Sequence, residues 1–334
     1  MRNYKILAFG RHSDLLNLGV SIRDGLRNHM PSEAILYSDR DLVDGQLVSD
    51  LGVFSVDPKD LAIDIFTGGR DQLIHVVAPN AWGLLCALIG RIRGNKILYH
   101  CHRFDFQSYP SLKAIEIFIY TVFIFLISDK IFVHSEKTKR FLFWKEKIIY
   151  AELPEFKFSS LPIDLFTHGT EVLFFGRLDS NKGIDLLAQI IDLLPETIFR
   201  ICGELVDLSL EKKLEGLSEK NNVIVQVGRV EQDDLPGIFQ TAKCTILPYS
   251  GATQSGIPFL ARSLKTPVLV ADVGDLAATV SDSSYGISVK TRNPAVWARV
   301  INNTDWHDLR CRISELDDKT RIDGVYLSVV KKWL

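Results

Sequence analysis

Short apolar runs alternate with longer amphipathic stretches along nearly the whole chain, and no other feature narrows the possible folds as far. Strand, helix and strand in succession return the chain to the same edge of a sheet, so repeated units build a parallel sheet with helices on its faces. The pattern predicts strands at Tyr4–Phe9, Ala34–Tyr37, Gln72–Val77, Lys96–His100 and Lys130–Val133, with helices such as Gly19–Asn28 and Ala81–Arg91 between them. Periodicity lapses between Tyr150 and Thr170, where Pro154, Pro162 and Gly169 mark a linker. It resumes with strands at Val172–Phe175, Thr197–Cys202, Val223–Val227, Cys244–Leu247, Pro267–Ala271 and Gly286–Val289. The expected fold class is α/β: two doubly wound, Rossmann-like domains facing a cleft, over residues 1–160 and 161–310. The last segment, 311–334, is expected to be helical and to pack back toward the first domain.

With 334 residues, two domains can each bury a core of ordinary size. A hydrophobic fraction of 46%, a charged fraction of 24% and a net charge of -2 describe a soluble globular protein with no general pull toward nucleic acid. Cys86, Cys101, Cys202, Cys244 and Cys311 are scattered, odd in number and never paired as CxxC. They read as reduced, mostly buried small hydrophobes of a cytoplasmic protein. The opening MRNYKILAFGRH turns polar too soon for a signal peptide and reads as a first strand.

The longest apolar run, Ile115–Ser128, is shorter than the roughly 20 residues that span a bilayer. Between Ala87 and Tyr150 eleven Lys or Arg stand against five Asp or Glu, with aromatics among the cations in KRFLFWKEK, Lys139–Lys147. The stretch Ala114–Lys147 has two open readings. One is a solvated helix face; the other is contact with anionic lipid headgroups at the inner face of a membrane.

The sharpest chemical signal runs from Glu171 to Gly183. The apolar strand Val172–Phe175 breaks at Gly176 and delivers Arg177, and a polar turn then carries Lys182 and Gly183 into the amphipathic stretch Ile184–Leu194. That order places two fixed cations at the carboxyl edge of a parallel sheet, as a diphosphate site requires. Ordinary surface charges on a βα loop would give the same two residues. A nicotinamide site needs GxGxxG straight after the first strand, whereas Gly10 is followed by RHSDLLNLG. A P-loop is likewise missing from the sequence.

Four ordered blocks extend the signal: GRLDSNKG (Gly176–Gly183), FRICGE (Phe199–Glu204), NNVIVQVGRV (Asn221–Val230) and LPYSGATQSGIPFLARSLKTPVLVADVGD (Leu247–Asp275). Together they make Glu171–Val280 resemble the donor-binding domain of GT-B glycosyltransferases, especially the retaining family 4 of the group 1 type. The resemblance implies transfer of a sugar from a nucleoside diphosphate-sugar to an acceptor. It sets Arg177 and Lys182, beside Gly176, on the diphosphate, where fixed cations stabilise the leaving group. Gly203, Glu204, Gly228, Arg229 and Val230 fall along the nucleobase, although either glycine could simply permit a tight turn. Thr253, Gln254, Ser255 and Gly256 fall at the donor sugar and at a second phosphate cradle before the helical stretch Ile257–Leu264. One departure is plain: the family's two glutamates, eight positions apart, are replaced by Thr253 and Ala261 in an ATQSG variant. Asp275 either supplies a nearby carboxylate or caps the next helix.

In the first half the resemblance holds only in outline. It places His102, in HCHRFDF (His100–Phe106), toward the donor sugar and acceptor, with Arg103 and Asp105 on the acceptor side. A core histidine is the ordinary alternative, but two histidines, an arginine and an aspartate in so short a span are costly to bury. Gly19 ends a loop, Arg11–Gly19, expected to close over the phosphates, and Ser135 reads either as an inter-domain contact or as a helix cap. Without a DxD-type cluster, no metal and no cofactor are expected. The acceptor implied is a lipid-linked glycan of surface polysaccharide synthesis. The competing reading is a non-catalytic GT-B-like partner subunit of an assembly complex.

Overall fold

The computed structural model describes residues 4–7, 22–23, 34–39, 54–70, 72–77, 80–101, 111–134, 146–151, 169–251, 255–281 and 285–315. The chain divides into two compact units, Met1–Phe156 with Lys319–Leu334, and Lys157–Asp318.

The first unit holds seven parallel strands: β1 (Tyr4–Leu7), β2 (Ala34–Asp39), β3 (Phe54–Val56), β4 (Leu73–Val76), β5 (Lys96–Cys101), β6 (Lys130–Val133) and β7 (Ile148–Tyr150). Their order is β3-β2-β1-β4-β5-β6-β7. Helices α1 (Pro58–Thr67), α2 (Ala81–Ile92) and α3 (Ser111–Ile127) pack side by side. Ile6, Ile74, Val76, Ile97, Leu98 and Ile131 are fully buried, as parallel strands covered on both faces must be. Two strands, β3 and β7, were not expected. Each is three residues long, too short to show a period, and exists because a neighbouring edge is there to pair with. Of the expected helix Gly19–Asn28, only residues 22 and 23 are described, and both are helical.

His100 is a correction. The sequence made HCHRFDF look costly to bury, yet His100 is fully buried, as is His75, and His134 nearly so. The three imidazoles sit on or just past the neighbouring strands β4, β5 and β6. The His75 and His100 rings stack at 5.7 Å and the His100 and His134 rings lie 4.2 Å apart. His134 Nδ1 lies 2.6 Å from the Ala151 carbonyl, so Nδ1 carries the proton, and the His134 Nε2 lone pair takes the His100 Nε2–H. His100 and His134 satisfy one another as neutral rings through this bond, and His75 stacks on His100.

Burial pulls the pKa of His75 down to about 3 and of His134 down to about 4, from 6.5. The unfolded chain therefore binds protons below pH 6.5 that the folded chain refuses. Stability from these two groups is complete above 6.5 and is lost as pH falls through their folded values. Urea unfolding at pH 7 and pH 5 is expected to show a loss on the order of 1–2 kcal/mol per imidazole, absent for both in a His75→Phe/His134→Phe pair.

The second unit is a six-stranded parallel sheet: β8 (Glu171–Phe175), β9 (Phe199–Gly203), β10 (Val223–Val227), β11 (Ala242–Leu247), β12 (Val268–Ala271) and β13 (Gly286–Val289). The order β10-β9-β8-β11-β12-β13 is the doubly wound 3-2-1-4-5-6 arrangement. Helices α4 (Ile184–Asp192), α5 (Glu211–Ser218), α6 (Leu235–Gln240), α7 (Ile257–Ser263), α8 (Leu276–Ser281), α9 (Pro294–Asn303) and α10 (Trp306–Glu315) connect or follow the strands. At the amino edge Arg200 on β9 grips Glu171 on β8 with Nε at 2.6 Å and Nη2 at 2.9 Å, and Thr241 Oγ1 donates to the same carboxylate at 3.0 Å. The Arg200 hydrogen bonds hold the Glu171 carboxyl below its usual pKa.

Helix α10 begins at Trp306, ahead of the expected segment. Its buried Arg310 donates to the Ala242 carbonyl at the start of β11, and its Ile313 is buried beside it. The helix therefore packs on the second unit; residues 316–334 of the expected returning segment lie outside the described residues.

Candidate functional site

Strand order reverses in the second sheet between β8 and β11, and open α/β sheets bind ligands outside the carboxyl ends of the strands at such a point. The loops leaving β8 and β11 carry residues singled out in the sequence, and they are joined by several contacts.

Past β8, Gly176 turns the chain with φ +123°. Arg177 follows, half exposed, with Nη2 3.8 Å from an Asp179 carboxylate oxygen. Asp179 also accepts from the Asn181 amide at 3.0 Å and so caps the short turn Ser180–Lys182. Gly183, at φ +75°, closes the turn and opens α4. A Cβ at Gly183 would stand 2.0 Å from the Pro248 carbonyl oxygen, so only glycine lets the two loops meet. The Ser250 amide and hydroxyl bond the Asn181 carbonyl at 2.9 and 3.2 Å, and Arg292 Nη1 holds the Pro248 and Tyr249 carbonyls at 3.3 and 3.2 Å.

Tyr249 ties the arrangement together. Its ring is 1% exposed and lies 4.0 Å under Lys182 Nζ. Its hydroxyl is 3.5 Å from Ser255 Oγ, and burial drives its pKa to about 12, so it stays neutral. One buried aromatic thus fixes a cation on its face and touches the turn before α7 with its edge.

Ser255 Oγ accepts the Ile257 amide at 3.3 Å. Helix α7 is seven residues long and has Pro258 in its first turn, which offers no N–H. The amide cradle expected before this helix is therefore narrower than the sequence suggested. Ile257 reaches the end of β8, since a Cβ on Gly176 would lie 3.4 Å from its Cδ1. Ala261 is fully buried, so its place on α7 presents nothing to a ligand at the sheet edge.

Beyond β9 and β10, Gly203 and Gly228 have φ of +150° and +139°. The Gly228 amide bonds the Gly203 carbonyl at 2.9 Å, and the Leu178 amide bonds the Glu204 carbonyl at 2.8 Å. Glu204, Arg229 and Val230 follow on the same edge; Arg229 is exposed, with Nε 3.8 Å from a Glu231 carboxylate oxygen. The structure thus brings Gly176, Arg177, Lys182, Gly203, Glu204, Gly228, Arg229, Val230, Ser255 and Gly256 to one edge of one sheet. Thr253, Gln254, His102, Arg103, Asp105, Gly19 and Ser135 lie outside the described residues. Tyr249, Asn181 and Arg292 were not singled out from the sequence. Tyr249 stood in LPYSG, and only the strand order reveals that this block faces the GRLDSNKG turn. Among the described residues no three His, Cys, Asp or Glu side chains gather as a metal site.

Residues 169–304 match the family model described as "Glycosyl transferases group 1". The match lies within the second unit. Over 146 residues the chain is 29% identical to a D-inositol 3-phosphate glycosyltransferase of Xylanimonas cellulosilytica, covering 42% of this chain and 34% of that one. The chain therefore spans about a third of the length of that curated relative. The whole chain is similar in fold to Anabaena Alr3699/HepE, solved with UDP and glucose, with a TM-score of 0.76 at 13% identity over 99% of each chain. It is similar too to the catalytic domain of Arabidopsis thaliana starch synthase IV bound to ADP and acarbose, with a TM-score of 0.69 at 11% identity over 100% of this chain and 99% of that one. Both units thus have the parallel α/β architecture of the GT-B fold. The matched segment spans β8 to α9 and contains the contacts described at the switch point.

Proposed function

We propose that the protein transfers a sugar from a nucleoside diphosphate-sugar, with UDP as the first nucleotide to test, to a lipid-linked glycan at the inner face of a membrane. The observation that carries this reading is the pair Arg177 and Lys182 on the loop leaving β8, at the switch point of a segment matching the group 1 model. Arg177 supplies a planar fork for phosphate oxygens and Lys182 a compact charge seated on Tyr249. Both bear on the oxygen that gains charge as the glycosidic bond breaks, which is where fixed cations lower a barrier most. The β9 and β10 edge, built of Gly203, Glu204, Gly228, Arg229 and Val230, takes the nucleobase. His102, Arg103, Asp105 and Gly19 serve the acceptor side. Transfer proceeds with retention and without a metal, the departing phosphate oxygen helping to take the acceptor proton. The rival, a non-catalytic subunit, draws on Thr253 and Ala261 standing where the family carries glutamates and on the burial of Ala261.

Thermal unfolding with UDP, GDP, dTDP, CMP and ADP tests the reading. Ligand at about 100 times its dissociation constant adds roughly 2.7 kcal/mol, a plain upward shift in Tm. No shift with any nucleotide overturns the donor site. With the active nucleotide in hand, Tyr249→Phe is expected to bind within about threefold of the parent, because the ring face under Lys182 is kept. Tyr249→Leu removes that face and is expected to weaken binding about tenfold by calorimetric titration. Equal affinities for the two variants would mean the ring does not seat the cation.

A further inference from the structure

The helical layer on one face of the first unit carries large apolar side chains on both its sides, with Lys59, Asp60, Asp64 and Glu116 exposed beside them. α1 packs on α2 and α2 on α3, and their inner residues fill the core: Leu61 and Ile65, Cys86 and Ala87, Ile124 and Phe125 are buried. The outward side of a surface helix is ordinarily charged. Here α1 exposes Ile63 and Phe66, and α2 exposes Leu85, Leu88 and, at 74%, Ile92. α3 exposes Ile115, Phe118, Ile119, Phe123 and Leu126. On each helix these residues recur at helical spacing and form one stripe. Three neighbouring stripes make a larger apolar patch than a monomer in water usually leaves open.

Cations collect at one end of this layer, the amino edge of the sheet. Arg91 and Arg93 stand at the end of α2, Lys96 opens β5, Lys130 opens β6 and Lys147 precedes β7. They sit among the apolar groups: the Arg93 guanidinium lies 5.6 Å over the Phe66 ring, and Lys147 Nζ bonds the Leu126 carbonyl at 3.2 Å. Of the described carboxylates at that end, Asp129 is bridged by Arg91 at 3.0 Å and Lys96 at 3.5 Å, Asp64 in the second half of α1 is bridged by Lys5, and Glu146 is the third. Asp60 and Glu116 lie toward the opposite ends of α1 and α3.

We propose that this three-helix face seats the protein on an anionic lipid surface, with the helices lying in the plane of the interface. Apolar side chains then enter the acyl boundary while the lysines and arginines meet headgroup phosphates, the arrangement long cationic side chains favour. No described helix is long and apolar enough to cross a membrane, and the inner face of α3 is committed to the core, so the layer lies on the bilayer. The purpose of this surface rests on the lipid-linked acceptor proposed above. Its physics does not, since vesicle binding is read without nucleotide.

The test is cosedimentation of the full chain with phosphatidylcholine vesicles with and without phosphatidylglycerol. Binding is expected to need phosphatidylglycerol and to fall as salt rises. Ile92→Ser/Phe123→Ser is expected to weaken it about tenfold, and Lys130→Gln/Lys147→Gln to weaken it by at least as much and flatten the salt dependence. Both variants should keep cooperative thermal unfolding and parental nucleotide-induced shifts, since Ile92 and Phe123 are exposed and each lysine gives up one solvent-exposed bond to a carbonyl, Lys130 to Glu146 and Lys147 to Leu126. Failure to bind either vesicle overturns the proposal, as does self-association by light scattering that Ile92→Ser/Phe123→Ser abolishes. Vesicle binding by a protein that shifts with no nucleotide leaves the surface standing and removes the donor site instead.

Discussion

Gly203→Ala is expected to cost roughly 3–5 kcal/mol of stability and to abolish nucleotide binding, the largest effect of any single methyl group in the second unit. A Cβ at Gly203 would stand 1.7 Å from the Gly176 carbonyl oxygen, which is main chain and has no rotamer to yield. The residue also holds φ at +150°, where an alanine is strained whatever the space. The clash forces the ends of β8 and β9 apart, and Arg177 stands on the loop that would move. Against a typical total of 5–15 kcal/mol, such a loss leaves a marginal fold. Urea unfolding measures it, and Gly256→Ala is the matched control. Gly256 has φ -76° and open space around its Cβ position, so that variant should be neutral to slightly stabilising. Parental stability in Gly203→Ala would falsify the close approach of the two strand ends.

The second large effect is on binding rather than folding. Lys182→Ala is expected to weaken nucleoside diphosphate affinity roughly 10- to 100-fold, the usual cost of removing a charge-assisted contact. Arg177→Ala should do the same, while changing stability by no more than about 0.5 kcal/mol, because its side chain is half exposed. Nucleoside affinity should be unaffected in both if, as proposed, the lost contacts are to phosphate. Equal losses for nucleoside and diphosphate, measured by titration calorimetry, would place the cations somewhere other than the phosphates. Lys182→Arg is not expected to restore full affinity, because a planar fork stacks on Tyr249 differently from a compact ammonium.

How much of this was legible in the sequence depends on the length over which each signal repeats. The long strands and the helices α2 and α4 announced themselves through period, and their boundaries moved by a residue or two. Phe54–Val56 and Ile148–Tyr150 have no period to show, and their strand identity comes from the neighbour each pairs with. GRLDSNKG was readable because glycine, arginine and lysine at that spacing have a chemical use. Tyr249 was not, since an aromatic after a strand is ordinary until strand order puts it opposite Lys182. His100 misled for a related reason: a histidine is costly to bury alone, but strand pairing supplied His75 and His134 as company. Gly203 had two readings, and the oxygen of Gly176 gives it a steric need for glycine that no sequence pattern displays.

Strands β8, β9 and β10 run out in Gly176, Gly203 and Gly228, so at those three positions the sheet margin presents peptide groups rather than side chains, with the exposed Glu204 and Arg229 close behind. A ligand laid along it would meet dipoles that neither titrate nor attract counter-ions, and those two charges beside them. On the proposed reading Arg177 and Lys182 hold the phosphates, and their share answers to ionic strength. Raising salt would then strip away the contribution of the charged groups and leave that of the backbone.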